Sequence, residues 1–160
     1  MQRKCWIQLV VLLVACGWAA MLTAQSACSV TPGDEAKATD ALRTLYTAAA
    51  KDDLSLFHSI TTADFYAFEN GVRYNGDGLM NLVKSFHAAG YVYVWSVEDP
   101  VVLLDCNTAL ITDVNRGGIR TPKGMQHHEW LESALLEKQA GQWRVRFFHS
   151  TRMPPPSAHQ

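Results

Sequence analysis

Residues 127–152, HHEWLESALLEKQAGQWRVRFFHSTR, contain a carboxylate and an imidazole set among tryptophans and leucines. With Ala140-Gly141 as a two-residue turn between two strands, Leu136 faces Val145, Ala134 faces Phe147, Glu132 faces His149 and Trp130 faces Thr151. One face then carries His128, Trp130, Glu132, Leu136, Trp143, Val145, Phe147 and His149. The other carries Glu129, Glu137, Arg144, Arg146 and Arg152, and this charge assigns the first face to the interior. Directly opposed residues hold their Cβ atoms about 5 Å apart, so Glu132 and His149 are expected to touch. A carboxylate beside an imidazole favours its protonated form and fixes which ring nitrogen carries the proton. His149 is therefore a candidate base or ligand donor oriented by Glu132. A polar pair that only ties two strands together fits the same residues.

His128, Glu132 and His149 are also of metal-ligand type, but their spacing argues against a metal. His128 and Glu132 stand four residues apart on a strand, about 13 Å at ~3.3 Å per residue, too far to share an ion. His127 and His128 point to opposite faces. No glycine-rich nucleotide loop, Ser-His-Asp order or activated cysteine occurs, so neither a metal nor a cofactor is expected.

The elements that position these residues are legible upstream. Ala38, Ala41, Leu42, Leu45, Ala48 and Ala49 recur at helical spacing behind Thr31-Pro32-Gly33-Asp34, which reads as a helix start with Thr31 as cap. Asp52-Asp53 opens a short second helix through Ile60, and Asn70-Gly71 marks a hairpin after the acidic-aromatic strand Asp64–Glu69. Asp77 caps a third helix that Gly90 ends. From Tyr91 the chain is strand-like, with a bulge expected at Asp99-Pro100 and a Gly- and Pro-rich loop over residues 116–124. Helices first and long strands afterwards give an α+β domain.

This order of elements, with DFYAFENG at 64–71, GQWR at 141–144 and HST at 149–151, resembles the nuclear transport factor 2-like superfamily over residues 34–152. Its SnoaL-like and ketosteroid-isomerase-like branches are the nearest in pattern. The resemblance implies a cone: a curved antiparallel sheet wrapped around the N-terminal helices, with a pocket at the open end. It also implies that Tyr46, on the first helix, and Glu69, late in the first strand, fall near the oxyanion donor and proton shuttle of ketosteroid isomerases. A core aromatic and a turn-flanking surface residue are the alternatives for these two. Trp95, Trp130, Trp143, Phe147 and His128 are the expected ligand-contacting residues, which suits a flat, largely apolar molecule with one polar handle.

At the N-terminus, Arg3 and Lys4 precede an apolar run from Trp6 to Leu22 and small residues follow, the layout of a secretory signal over residues 1–27. Cleavage is expected between Ala24 and Cys28. Leu13-Val14-Ala15-Cys16 resembles a lipobox, and lipidation at Cys16 or an uncleaved anchor are the alternatives. Cys28 and Cys106 remain after cleavage, bridged or free, and residues 153–160 form a loose tail. A net charge of −1 gives no reason to expect nucleic acid. The expected protein is thus an exported binder of a small organic ligand. An isomerase, cyclase or dehydratase using His149 and Glu132 is the alternative, and an interaction domain is a third. Leu131, Leu135 and Phe148 on the outer face are expected to form a homodimer contact.

Overall fold

A computed structural model describes residues 30–154. The expected leader and most of the expected tail lie outside them. Three helices, α1 (Asp34–Ala50), α2 (Leu54–Ile60) and α3 (Gly76–Ala88), pack against a strongly curled sheet. Its strands are β1 (Thr61–Glu69), β2 (Val72–Asn75), β3 (Val92–Val94), β4 (Glu98–Asp105), β5 (Thr108–Thr121), β6 (Gly124–Gln139) and β7 (Gln142–Arg152). The order is β2-β1-β7-β6-β5-β3, with β4 also paired to β5. The ladders are antiparallel except that β1 joins β7 in parallel.

Local chemistry explains the boundaries. Asp53 caps α2 by accepting from Leu56 N at 2.9 Å, and the Asn70-Gly71 turn adopts positive φ at both residues. At α3 the cap is Asn75, which accepts from Gly78 N at 2.8 Å, rather than Asp77. At α1 the expected capping runs in reverse: the carboxylate of Asp34 accepts from Thr31 N and Thr31 Oγ1. Asp34 also accepts from Lys138 Nζ at 2.9 Å and from Trp143 Nε1 at 3.4 Å, so the start of α1 is tied to the β6–β7 hairpin.

The Gly- and Pro-rich segment is not a loop. β5 runs through Gly117 and Gly118 as far as Thr121, paired to β6 throughout. These glycines serve close approach: a Cβ on Gly117 would lie 1.9 Å from the Val94 carbonyl oxygen, and one on Gly118 2.2 Å from that of Gln126. The bulge expected at Asp99-Pro100 is present, with Asp99 at φ 47° and a register shift between Glu98 and Val101.

A second bulge was not foreseen, and it decides the site. β6 and β7 pair as Gln139–Gln142, Lys138–Trp143 and Leu136–Val145, as a two-residue turn requires, and then shift so that Leu135 pairs with Phe147. Arg146 is the extra residue. It stays on the convex side, bonded to Glu137 and 3.0 Å from Asp64. A bulge puts two consecutive side chains on one side, so Phe147 and His149 turn outward while Phe148 and Ser150 turn inward. Glu132 therefore opposes Ser150, and His149 opposes Ser133.

Candidate functional site

The concave face of the sheet carries a polar row running straight across four strands. Glu69 on β1 pairs with Ser150 on β7, Ser150 with Glu132 on β6, and Glu132 with Asp113 on β5. Neighbouring strands lie about 4.8 Å apart, which puts Glu69 and Glu132 roughly 10 Å apart in this direction. The surrounding inward positions are apolar: Ile111, Ala134, Leu136, Val145 and Phe148 are all buried.

Helix α1 covers this row because its inward face is built from small residues. Ala38, Ala41, Ala48 and Ala49 let the helix settle close to the sheet, and the Asp34 knot fixes its position along the cone. Leu42, Leu45 and Tyr46 are the large residues of this face, and the Tyr46 phenol reaches Glu132. Tyr46 Oη donates to Glu132 Oε2, Asn115 Nδ2 donates to the same oxygen at 3.2 Å, and Ser150 Oγ donates to Glu132 Oε1 at 3.0 Å. The Asn115 amide is held in this orientation because its Oδ1 accepts from Ser96 N at 2.9 Å.

Glu132 is 6% exposed, and its carboxyl is pushed up to about 7. Burial is the main cause and the nearby Asp113 charge adds to it, while the bonds from Tyr46, Ser150 and Asn115 pull the other way. Burial lifts Asp113 to about 6, and both of its carboxyl oxygens lack a hydrogen-bond partner among the described residues. The Tyr46 phenol is held well above its ordinary range by burial and by the Glu132 charge, so it stays a donor. Glu69 is also lifted to about 7 by burial.

Between α1, α3 and the sheet lies a cavity with Glu132, Ser150 and Tyr46 at its depth and Glu69 and Asn70 toward the surface. One wall is a run of rings from depth to rim. Tyr46 stacks on Trp95 (5.7 Å between centroids), Trp95 on Tyr93 (5.4 Å), and Tyr93 lies against Phe86 (5.6 Å). Trp130, Phe148, Met80 and Leu45 also belong to the apolar lining.

The expected site residues divide accordingly. Glu132, Tyr46, Trp95 and Trp130 line this cavity. His149 does not: it is exposed on the convex side, 3.2 Å from Thr151 Oγ1 and against Phe68, because the Arg146 bulge reverses its direction. Phe147 is carried outward by the same shift and packs on Tyr66 and Phe68. Trp143 is buried at the other end of the hairpin, bonded to Asp34 and absent from the cavity lining. His128 is not in the cavity lining; the Arg152 guanidinium lies 2.7 Å from its Nδ1, and its ring packs against Trp130, which does line the cavity. Phe148, assigned above to the outer contact, is buried and lines the cavity.

Ser150, Asp113 and Asn115 were missed. The signal for the last two was available: they continue the inward parity of Ala109 and Ile111 on β5, and a polar pair at inward positions needs a reason. Among the described residues no three His, Cys, Asp or Glu side chains are grouped as a metal site would require.

No protein-family model matches the sequence, and no curated protein does. Solved structures do match in shape. A ketosteroid isomerase-like protein from Erwinia carotovora atroseptica superposes with a TM-score of 0.63 at 17% identity, covering 78% of this chain and 100% of that one. An NTF2-like protein from Cytophaga hutchinsonii gives 0.60 at 12% identity over 72% and 94% of the two chains. The S. rosetta CaMKII hub gives 0.60 at 19% identity over 78% and 100%. The chain thus has the nuclear transport factor 2-like fold, an α+β cone.

Proposed function

We propose that this protein is an exported, homodimeric binder of a small, largely apolar organic molecule held in the cone. The observation that carries this reading is the polar cluster on Glu132 at the depth of a cavity otherwise walled by aromatic and aliphatic side chains. A site of that kind buries the body of a ligand and fixes its orientation through one polar group.

A second reading has its own support. Glu69, lifted to about 7, lines the same cavity as the Tyr46–Glu132 pair, so a proton acceptor and a donor pair face one space. The solved ketosteroid isomerase-like neighbour shares this fold. Under this reading the protein is a proton-transfer enzyme with Glu69 as base, and Glu69→Gln lowers kcat far more than it changes ligand affinity.

Export is supported by Cys106, which is disulfide-bonded, since such bonds persist in oxidising compartments. Homodimerisation is supported by the convex face, where Leu103, Leu110, Leu135, Phe147 and Tyr66 form an apolar row across β4, β5, β6, β7 and β1. Leu103 is 62% exposed, and Leu131, on the same face of β6 and four residues from Leu135, 52%. Charged groups flank it, including the Arg146–Asp64 pair, which is the layout of an interface with an apolar centre and a polar rim. A hub protein is among the solved neighbours.

Native mass spectrometry of the protein recovered from its own host tests the three parts together. The expected species is a dimer of chains beginning between Gln25 and Cys28, carrying a small organic molecule that denaturation releases. Leu131→Glu is expected to give ligand-bearing monomers. A chain starting at Met1 or lipidated at Cys16, a monomeric wild type, or a protein that never carries a ligand would remove the corresponding part.

A further inference from the structure

The cavity is one-sided in charge. Among the described residues its lining contains two carboxyl groups, Glu132 and Glu69, and no lysine, arginine or histidine. Behind Glu132, in register with it, stands Asp113, also 6% exposed and with both oxygens unpartnered among the described residues. Three carboxyl groups thus share one row of the concave face without a basic side chain in it. Arg152 is engaged with the His128 ring and is close enough to act on Tyr93, but it is not itself part of the lining.

The hydrogen bonds add a polarity to this charge. Glu132 receives Tyr46, Asn115 and Ser150, all of them neutral donors, and the Asn115 donor is fixed by its other bond to Ser96. Once ionised, above about pH 7, this carboxylate turns its remaining lone pair, not a proton, to the cavity. The group that completes it must therefore donate, and a positively charged donor also supplies the missing counter-charge. The faces and edges of the Tyr46–Trp95–Tyr93 wall beside it suit the apolar body, and ring faces attract a cation further.

We propose, building on the ligand-binding reading above, that the cavity takes an organic ammonium compound, its charged nitrogen on Glu132 and its apolar part along Trp95 and Tyr93.

Three probes of matched size test this at a pH of about 8 by tryptophan fluorescence and calorimetry: 2-phenylethylammonium, 2-phenylethanol and 3-phenylpropanoate. A charge-assisted hydrogen bond outweighs a neutral one by roughly 1.4 kcal/mol, so the ammonium is expected to bind about tenfold more tightly than the alcohol. The propanoate is expected to be weakest. Glu132→Gln should remove most of the preference for the ammonium over the alcohol, and Glu69→Gln, nearer the surface, should reduce it less. If the alcohol or the propanoate binds as tightly as the ammonium, the ligand class is wrong while the binding reading stands. If the wild type binds none of the three, both fail. The wild-type ranking decides the matter even if a variant does not fold.

Discussion

Glu132→Gln is expected to gain about 3 kcal/mol of stability on the wild type as the pH rises from about 4 to about 8.5. The sign follows from where the carboxyl titrates. Its ordinary value is 4.5 and burial lifts it to about 7 in the folded chain. Below 4.5 it is protonated in both folded and unfolded states, so its ionisation costs nothing. Between 4.5 and about 7 the unfolded chain ionises and the folded one resists, and the wild type loses about 1.4 kcal/mol per pH unit. Above about 7 both states are ionised and the loss stays constant. Glutamine does not titrate; its amide oxygen can accept from Tyr46 and Asn115 in place of Oε2, and its amide N–H can donate to the Ser150 hydroxyl in place of Oε1. Asp113 titrates in both proteins and drops out of the difference to first order. Urea unfolding of the two proteins across this range measures the effect, and a stability difference that stays flat with pH would show that Glu132 is not desolvated at the depth of the cavity. A carboxyl held against such a cost at a site where glutamine would fit is one more sign of a functional group.

The second large effect separates two adjacent phenylalanines. Phe148→Ala is expected to cost about 3–5 kcal/mol, because the ring is 5% exposed and its removal leaves a cavity against Tyr46. Phe147→Ala leaves the interior intact, removing only a convex-side ring packed on Tyr66 and Phe68, and is expected to cost about 1 kcal/mol or less in the monomer. Denaturant melts of both variants compare them directly. The opposite order would mean that the strands keep the unbulged register, with His149 rather than Ser150 beside Glu132.

That one residue marks the boundary of what could be read from the chain. The helices, the Asn70-Gly71 hairpin, the Ala140-Gly141 turn and the inward position of Glu132 all rest on local periodicity and turn chemistry, which a single sequence carries. The Arg146 bulge does not. It depends on Asp64 and Glu137 holding Arg146 outside and on the interior having room for Phe148, and both are long-range facts. Since side chains alternate along a strand, one unpaired residue reversed every assignment beyond it. Phe147, His149 and Phe148 were all misplaced for that single reason. Gly117 and Gly118 failed differently: glycine serves turns and close backbone approach alike, and only the neighbouring strands distinguish the two. The resemblance that pointed to Tyr46 and Glu69 rested on the order of elements and did not depend on the β6–β7 register.

Small organic molecules are expected to bind between α1, α3 and the concave sheet, against Trp95 and Trp130. Nitrogen-15 labelling of the tryptophan indoles reads this directly, because the domain has three tryptophans in distinct settings. Trp95 and Trp130 line the cavity, whereas Trp143 is buried at the other end of the β6–β7 hairpin with its indole N–H on Asp34. Titration with a library of small aromatic fragments is predicted to shift the indole resonances of Trp95 and Trp130 and to leave that of Trp143 in place. Fragments that bind while moving only Trp143, or that bind without moving any of the three, would contradict the account.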